Sequence, residues 1–401
     1  MTWILSSTGY KNVSFCTLVF HVYYVSMKKI IADPNIPLLE NFDSIGSVIQ
    51  APGREWTNDL IRDADILLTR SVTTVNANLL QGSQVKFVGT ATSGFDHVDR
   101  QYLDQHGIHF SFCPGSNANS VAEYVLSAIL VVTEPERSLQ GMTAGIIGCG
   151  HVGGRVAELL QAVGINTILN DPPLKDQTGD DQYRTLQEAL SADIVTLHTP
   201  LTSEGKHPTC NLITDQQLQQ MKPNVIFMNA ARGGIVDEKA LLKRIKKYPQ
   251  MKTVIDCWKN EPAIDHDLLR NVTLGTPHIA GYSYDGKVKA TKMLYTSLCD
   301  FLEIESDWHE AENHEEQLML SGVKDERQAL CESVFSCYDI RIDDHNMKGL
   351  LTMNLPDSEI AFDQLRKEYR LRREFGSVMV KFIEYETLLD KIGFRLVKNP
   401  E

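Results

Sequence analysis

Four things are scarce in this sequence, and each scarcity excludes a class of protein. Cysteine is the first: eight are present (Cys16, Cys113, Cys149, Cys210, Cys257, Cys299, Cys331 and Cys337), with no C-x-x-C pair. Reduced thiols in a cytosolic protein are expected, with no disulfide framework and no zinc or other metal site. Positive charge is the second: 39 Lys+Arg face 52 Asp+Glu, a net of −13. A surface of that sign repels nucleic-acid phosphates and anionic lipids, so neither nucleic acid nor membrane is expected as a partner. Long apolar runs are the third. The best of them, Val13–Val25, falls short of the ~20 residues that span a bilayer. One lysine, Lys11, precedes it and no small-x-small cleavage site follows, so it makes a poor signal peptide. Repeats and low-complexity tracts are the fourth. With 42% hydrophobic and 23% charged residues, the chain has the balance of a folded protein.

What is present is a long alternation of short apolar runs and helical patterns. A length of 401 residues suggests two or three domains. Met27-Lys28-Lys29-Ile30-Ile31-Ala32-Asp33 reads as an opening strand, so Met27 is expected to be the natural start and residues 1–26 a disordered extension. Further strands are expected at 47–50, 65–69, 85–89 and 109–112, then at 144–147, 166–169, 194–198, 225–229, 253–256 and 272–274. Strands spaced this way, with helices between them, call for parallel sheets covered on both faces. Ser120-Val121-Ala122-Glu123 has the form of a capping box opening a helix, with Val121, Val125 and Ile129 as its apolar stripe. The acidic stretch Glu303–Glu316 reads as a linker. Beyond it the pattern predicts helices over 325–336 and 358–373, a strand over 391–397, and otherwise mostly helix.

Gly148-Cys149-Gly150-His151-Val152-Gly153 is G-x-G-x-x-G, directly after an apolar strand and opening a helix with Val156, Leu159, Leu160 and Val163 on one face. In that context Gly148 permits the tight turn, Gly150 the approach of a pyrophosphate, and Gly153 the helix-to-strand contact. The helix N-terminus then offers free amides to the diphosphate. Asp171, at the end of the next strand, can accept bonds from a ribose and repel a 2′-phosphate, which favours NAD over NADP.

Three later strand ends carry Asn229-Ala230-Ala231-Arg232-Gly233-Gly234, Asp256-Cys257-Trp258-Lys259-Asn260-Glu261-Pro262 and Thr276-Pro277-His278-Ile279-Ala280-Gly281-Tyr282. Ligands of open α/β sheets bind outside the carboxyl ends of the strands, so Arg232, Glu261 and His278 can converge. Oxidation of a hydroxy acid needs a base near neutral pH, which histidine supplies. It needs a fork for the carboxylate, which arginine supplies. It also needs a carboxylate to hold the base and raise its pKa, which fits Glu261.

These segments, in this order, resemble the D-isomer-specific 2-hydroxyacid dehydrogenases over roughly residues 27–305. The resemblance implies a catalytic triad at Arg232, Glu261 and His278, and a cofactor site at Gly148, Gly150, His151, Val152, Gly153, Asp171, Thr199, Ala230, Ala231, Arg232, Asp256 and Gly281. It also implies two doubly wound parallel-sheet domains. A split substrate domain is expected at 27–118 and 282–308, and a Rossmann NAD domain at 119–281. Gly89–Asp99 is similar to the family's substrate-carboxylate loop. Thr69-Arg70-Ser71-Val72-Thr73, Gly89-Thr90-Ala91-Thr92, Asn170-Asp171-Pro172-Pro173 and the C-terminal Phe362–Tyr369 and Arg372–Phe375 runs are similar to a branch acting on a phosphorylated 2-hydroxy acid. That likeness implies substrate contacts at Ser71, Thr92 and Tyr282, and an α+β C-terminal dimerisation domain, residues 309–401, holding a homodimer. Arg70 is a candidate for the substrate phosphate. So is the basic run Arg366, Lys367, Arg370, Arg372 and Arg373, brought to a partner's cleft or else lying on a solvated helix face. A dehydrogenase for another hydroxy acid (3-phosphoglycerate or glycerate) and an NAD-sensing scaffold stay open as alternatives.

Overall fold

The computed structural model describes residues 27–135, 137–310, 316–319, 323–381 and 385–397. The expected extension, residues 1–26, and part of the Glu303–Glu316 stretch lie outside them. Two parallel sheets carry the molecule. The first holds β1 (Lys28–Ala32), β2 (Gly46–Gln50), β3 (Ile66–Thr69), β4 (Phe87–Thr90) and β5 (His109–Phe112) in the order β2-β1-β3-β4-β5. The second holds β6 (Thr143–Ile147), β7 (Asn166–Asn170), β8 (Ile194–Leu197), β9 (Ile226–Asn229), β10 (Lys252–Ile255) and β11 (Leu274–Gly275) in the order β11-β10-β9-β8-β6-β7.

The strands read as apolar runs because both faces are covered. All four residues of β3, β4, β8 and β9 are buried. Each sheet reverses direction once, beside its first strand: between β1 and β3, and between β6 and β8. Crevices for ligands open at such reversals. The second sheet's opens at Gly148, directly beyond β6.

Two helices tie the sheets together. Ala118–Val132 follows β5 and is buried nearly all round, so it is a core helix rather than a striped one. Its start corrects the expected capping box. The helix begins three residues earlier, with Asn117 at its N-cap, and Ser120 Oγ donates to Asn117 O. Glu123 is buried and accepts from Phe375 N at 2.8 Å. The pattern S-x-x-E fitted, but here the glutamate answers a distant backbone amide. Tyr284–Leu302 follows β11 and returns to the first sheet, packing Ala290, Leu294, Tyr295 and Leu298 against Ile30, Phe42 and Phe87.

The C-terminal part is α+β, as the resemblance implies, but its elements differ from those the pattern predicts. It has a third parallel sheet, β12 (Glu316–Met319), β13 (Val378–Lys381) and β14 (Arg395–Leu396), in that order. Its helices are Glu326–Cys337, Ile340–Gly349, Leu355–Lys367 and Glu386–Ile392. The strand expected from 391 is a helix end followed by a two-residue strand, and the helix expected to reach 373 stops at Lys367. Residues after it run extended across the ends of both connecting helices. Val334, Tyr338, Phe375, Val380 and Leu389 join the apolar core beneath the six-stranded sheet, so this part is packed on the body.

Candidate active site

Three loops at the carboxyl ends of β9, β10 and β11 place Arg232, Glu261 and His278 in one cleft of about 310 Å³ between the two large sheets. Asn229, the last residue of β9, binds two of the loops together: its Nδ2 donates to Arg232 O at 3.0 Å and to Cys257 O at 3.1 Å. Asp256 secures the third. Fully buried, it accepts from Thr276 Oγ1 (2.7 Å), Ile279 N (2.8 Å) and Ala280 N (3.0 Å), pinning both sides of His278. Its burial raises its pKa, against the pull of His278 and these donors. His278 itself sits at φ +56°, a left-handed conformation that a non-glycine residue holds only when its surroundings impose it.

His278 Nδ1 lies 2.7 Å from Glu261 Oε2, and Glu261 Oε1 accepts from Trp258 N at 2.7 Å. Burial alone would raise the Glu261 carboxyl, but His278 and the Trp258 amide outweigh it and hold its pKa below the ordinary value. An ionised carboxylate can only accept, so Nδ1 carries a proton, and in the neutral ring Nε2 is then the nitrogen with the lone pair. That is the tautomer a general base requires.

Arg232 crosses the cleft to the other sheet. Its Nε donates to Asp96 Oδ2 at 3.0 Å and its Nη1 to Ala231 O at 2.8 Å. Nη2 has no partner among the described residues and lies against Gly94, where a Cβ would come within 1.8 Å of it. Glycine is therefore required at 94 for the arginine to reach the opening. Asp96 lies within the Gly89–Asp99 loop and belongs to no motif that predicts this pairing; a contact between two distant loops leaves no local pattern to read.

From the first sheet, Arg70, Ser71 and Thr92 line the same cleft, and Tyr282 and Gly281 line it from beyond β11. Thr92 Oγ1 donates to Gly94 O at 2.7 Å and lies 2.8 Å from Thr90 Oγ1, which in turn lies 2.9 Å from His97 Nε2. Burial lowers His97 to about 4, so its ring is neutral at neutral pH. Two further cations that the motifs did not place here, Lys287 and Arg366, line the cleft too.

The basic run containing Arg366 is not one patch. Arg366 enters this chain's own cleft, where its Nη2 donates to Tyr282 Oη at 3.1 Å. Arg370 pairs with Asp343. Arg372 is buried against the Tyr338 ring at 3.8 Å and donates to Ala280 O and Ser120 O. Arg373 takes Asp285. Only Lys367 remains on an exposed face, so most of the run is engaged within this chain rather than lying on a solvated helix face.

The glycine loop forms a separate concavity. Gly148 has φ +87°, and Gly153 approaches Gly148 O so closely that a Cβ would lie 1.8 Å from it. A Cβ on Gly150 would meet nothing within 4 Å, so the space above the loop is open. His151 and Val152 begin the helix His151–Ala162, whose N-cap is Gly150. Asp171 accepts from Cys149 N at 2.8 Å and Leu174 N at 3.0 Å, placing its carboxylate beside the loop. Thr199 packs its Cγ2 near Gly148, and its buried Oγ1 has no hydrogen-bond partner among the described residues. Open space at Gly150, free helix amides and an orphan hydroxyl fit a dinucleotide.

Among the described residues no helix is long and apolar enough to cross a membrane. Residues 131–280 match the family described as D-isomer specific 2-hydroxyacid dehydrogenase, NAD binding domain, and residues 312–393 match a domain of unknown function, DUF3410. The chain is 41% identical over 362 residues to an erythronate-4-phosphate dehydrogenase of Marinobacter nauticus, covering 88% of this chain and 94% of that protein. It is 40% identical over 378 residues to one of Hahella chejuensis, covering 92% and 99%. Among solved structures, a D-lactate dehydrogenase from Aquifex aeolicus complexed with NAD and lactic acid superposes with a TM-score of 0.58 at 22% identity, covering 69% of this chain and 96% of that one. A 3-phosphoglycerate dehydrogenase of Entamoeba histolytica with bound NAD⁺ gives 0.59 at 23%, covering 69% and 96%.

Proposed function

The chain belongs to the D-isomer-specific 2-hydroxyacid dehydrogenases, and from that premise we propose that it oxidises 4-phospho-D-erythronate at C2 to (R)-3-hydroxy-2-oxo-4-phosphooxybutanoate, with NAD as cofactor. That is a step of pyridoxal 5′-phosphate biosynthesis, and it is placed in the cytosol. The observation that carries the chemistry is the His278–Glu261 pair at 2.7 Å, facing an arginine whose Nη2 is open to the cleft.

His278 Nε2 accepts the C2 hydroxyl proton, and Glu261 stabilises the imidazolium that forms. In the reverse direction the same nitrogen returns the proton. Arg232 holds the substrate carboxylate, with Asp96 fixing the plane of its guanidinium. Ser71, Thr92 and Tyr282 orient the hydroxyls, and Arg70 and Arg366 face the phosphate. Gly148, Gly150, Gly153 and the amides of His151 and Val152 hold the cofactor's diphosphate, Asp171 its ribose, and Thr199, Ala230, Ala231, Asp256 and Gly281 its remaining length. When bound there, NAD supplies the hydride acceptor.

A homodimer is part of the reading. Ile342, Met353 and Ile360 stand exposed around an apolar groove of about 700 Å³ on the C-terminal part. Ile360→Glu should yield monomers by light scattering, and a persisting dimer would move the interface elsewhere. The activity is tested by offering purified protein and NAD a panel of 4-phosphoerythronate, 3-phosphoglycerate and D-glycerate. The first should give the highest kcat/KM. Preference for another acid would assign the chain to a different branch, and NAD binding without turnover would favour a sensing scaffold.

A further inference from the structure

Cations gather at one end of the cleft, and the acids do not follow them. Arg70 comes from the loop after β3, Lys287 from the first turn of helix Tyr284–Leu302, and Arg366 from helix Leu355–Lys367. They meet around Tyr282: Lys287 Nζ lies 5.1 Å and Arg366 Cζ 5.7 Å from its ring centre. Arg366 Nε is buried with no hydrogen-bond partner among the described residues. Arg70 has Asp33, at 4.0 Å, as a distant counter-charge. Lys287 pairs with no carboxylate among the described residues. The cleft's own acids are engaged elsewhere, Asp96 by Arg232, Glu261 by His278, and Asp256 by Thr276 and two backbone amides. In a chain of net charge −13, three converging positive groups, of which only Arg70 has an acid within ion-pair reach, mark a site for a multiply charged anion.

We propose that Lys287 is a specificity-determining residue whose ammonium, together with Arg70 and Arg366, receives the substrate's terminal phosphate. The proposal rests on the hydroxy-acid oxidation proposed above and adds the residue that makes the site select a phosphorylated chain. A lysine suits the role because it is a compact charge on a flexible stem, able to meet a phosphate oxygen between two fixed guanidinium forks. It also gives the site a pH response. Burial, with the Arg70 charge next, lowers Lys287 to about 8. The free site therefore keeps three charges below that pH and loses one above it, while both arginines and the phosphate dianion (second pKa ≈ 6) stay as they are. His97 and His278 face the same cleft, but they act on phosphorylated and unphosphorylated substrates alike.

The test is the ratio of kcat/KM for 4-phosphoerythronate to that for erythronate, measured with saturating NAD from about pH 7 to about pH 9. Taking the ratio cancels His278. In the wild type it should fall about tenfold across that range, the loss of one charge-assisted contact. Lys287→Met should lower the ratio about 10- to 100-fold at pH ~7 and flatten its pH dependence. Lys287→Arg should keep the preference and carry it to the alkaline end, a rescue that packing alone would not produce. A ratio within twofold of wild type in Lys287→Met, or flat with pH in the wild type, would overturn the proposal. Inorganic phosphate gives a readout that does not depend on turnover. Its dissociation constant from the NAD-loaded protein should rise about tenfold in Lys287→Met, and an unchanged constant would again overturn it. Should the wild type oxidise neither acid yet bind phosphate through Lys287, the proposed reaction fails and the anion site stands.

Discussion

Asp285 and Lys287 share the first turn of one helix, two residues apart, and live in opposite circumstances. Asp285 faces the extended C-terminal segment and is fully engaged: Arg373 Nε donates to both its oxygens at 3.1 Å, Glu374 N at 2.7 Å and Ser377 Oγ at 2.8 Å. Burial works to raise its pKa, but those donors win and hold it below the ordinary value. Lys287 faces the cleft, has no acid to answer it among the described residues, and its pKa is pushed down by burial and Arg70. Charge alone separates nothing here. What separates a strap from a site is whether the partners are already in the protein.

That contrast can be broken in either place. On the cleft side, His278→Ala should cost the most: general acid–base groups contribute ~10²–10⁴ in rate, so kcat should fall by that factor while NAD affinity stays close to wild type. Stopped-flow turnover and a cofactor titration separate the two.

On the strap side, Arg372→Ala should damage the fold instead. The guanidinium is 2% exposed, stacked on Tyr338, with Glu123 at 3.8 Å. Removing one member of a buried pair costs about 3–5 kcal/mol, to be read from denaturant unfolding. A variant with full stability and a raised KM would move Arg372 into the site.

Asp285→Asn should cost less, about 1.5–3 kcal/mol for charge-assisted bonds lost. Because the folded pKa is depressed, the aspartate's contribution is fully present above its ordinary value of 3.8 and vanishes as pH falls through the folded value. Wild type and Asp285→Asn should therefore differ in stability at neutral pH and converge below pH ~4. Curves that stayed apart in acid would show that the cost is packing.

The smallest effect is expected at Asp171. A neutral residue there should narrow the preference for NAD over NADP by about tenfold, roughly 1.4 kcal/mol. A wild type using both cofactors equally would contradict that role.

The legible parts of this molecule were those whose chemistry is written locally. The G-x-G-x-x-G turn lies between a strand and a helix, and Arg232, Glu261 and His278 follow successive strands, so topology alone brings them to one edge. Arg232–Asp96, Arg366–Tyr282 and Arg372–Ala280 join residues far apart in sequence, and nothing near any of them announces the other. Ser120-x-x-Glu123 misled because a buried acceptor and a capping acceptor look alike from neighbours alone. Within the α+β C-terminal part, the individual strands were poorly legible for a different reason. Arg395–Leu396 is too short to show a period, whereas Val378-Met379-Val380 is a short apolar, β-branched run just after Gly376 that could have been read as a strand; its alternating burial shows only in the structure.

The central claim is that a hydrogen leaves C2 of a phosphorylated hydroxy acid beside His278 and reaches the cofactor. It is tested most directly with 4-phosphoerythronate deuterated at C2. The deuterium should be recovered in NADH, with turnover slowed by the label, and His278→Ala should carry out the same transfer at a rate lowered by ~10²–10⁴. Deuterium appearing in water, or retained in the organic product, would contradict it.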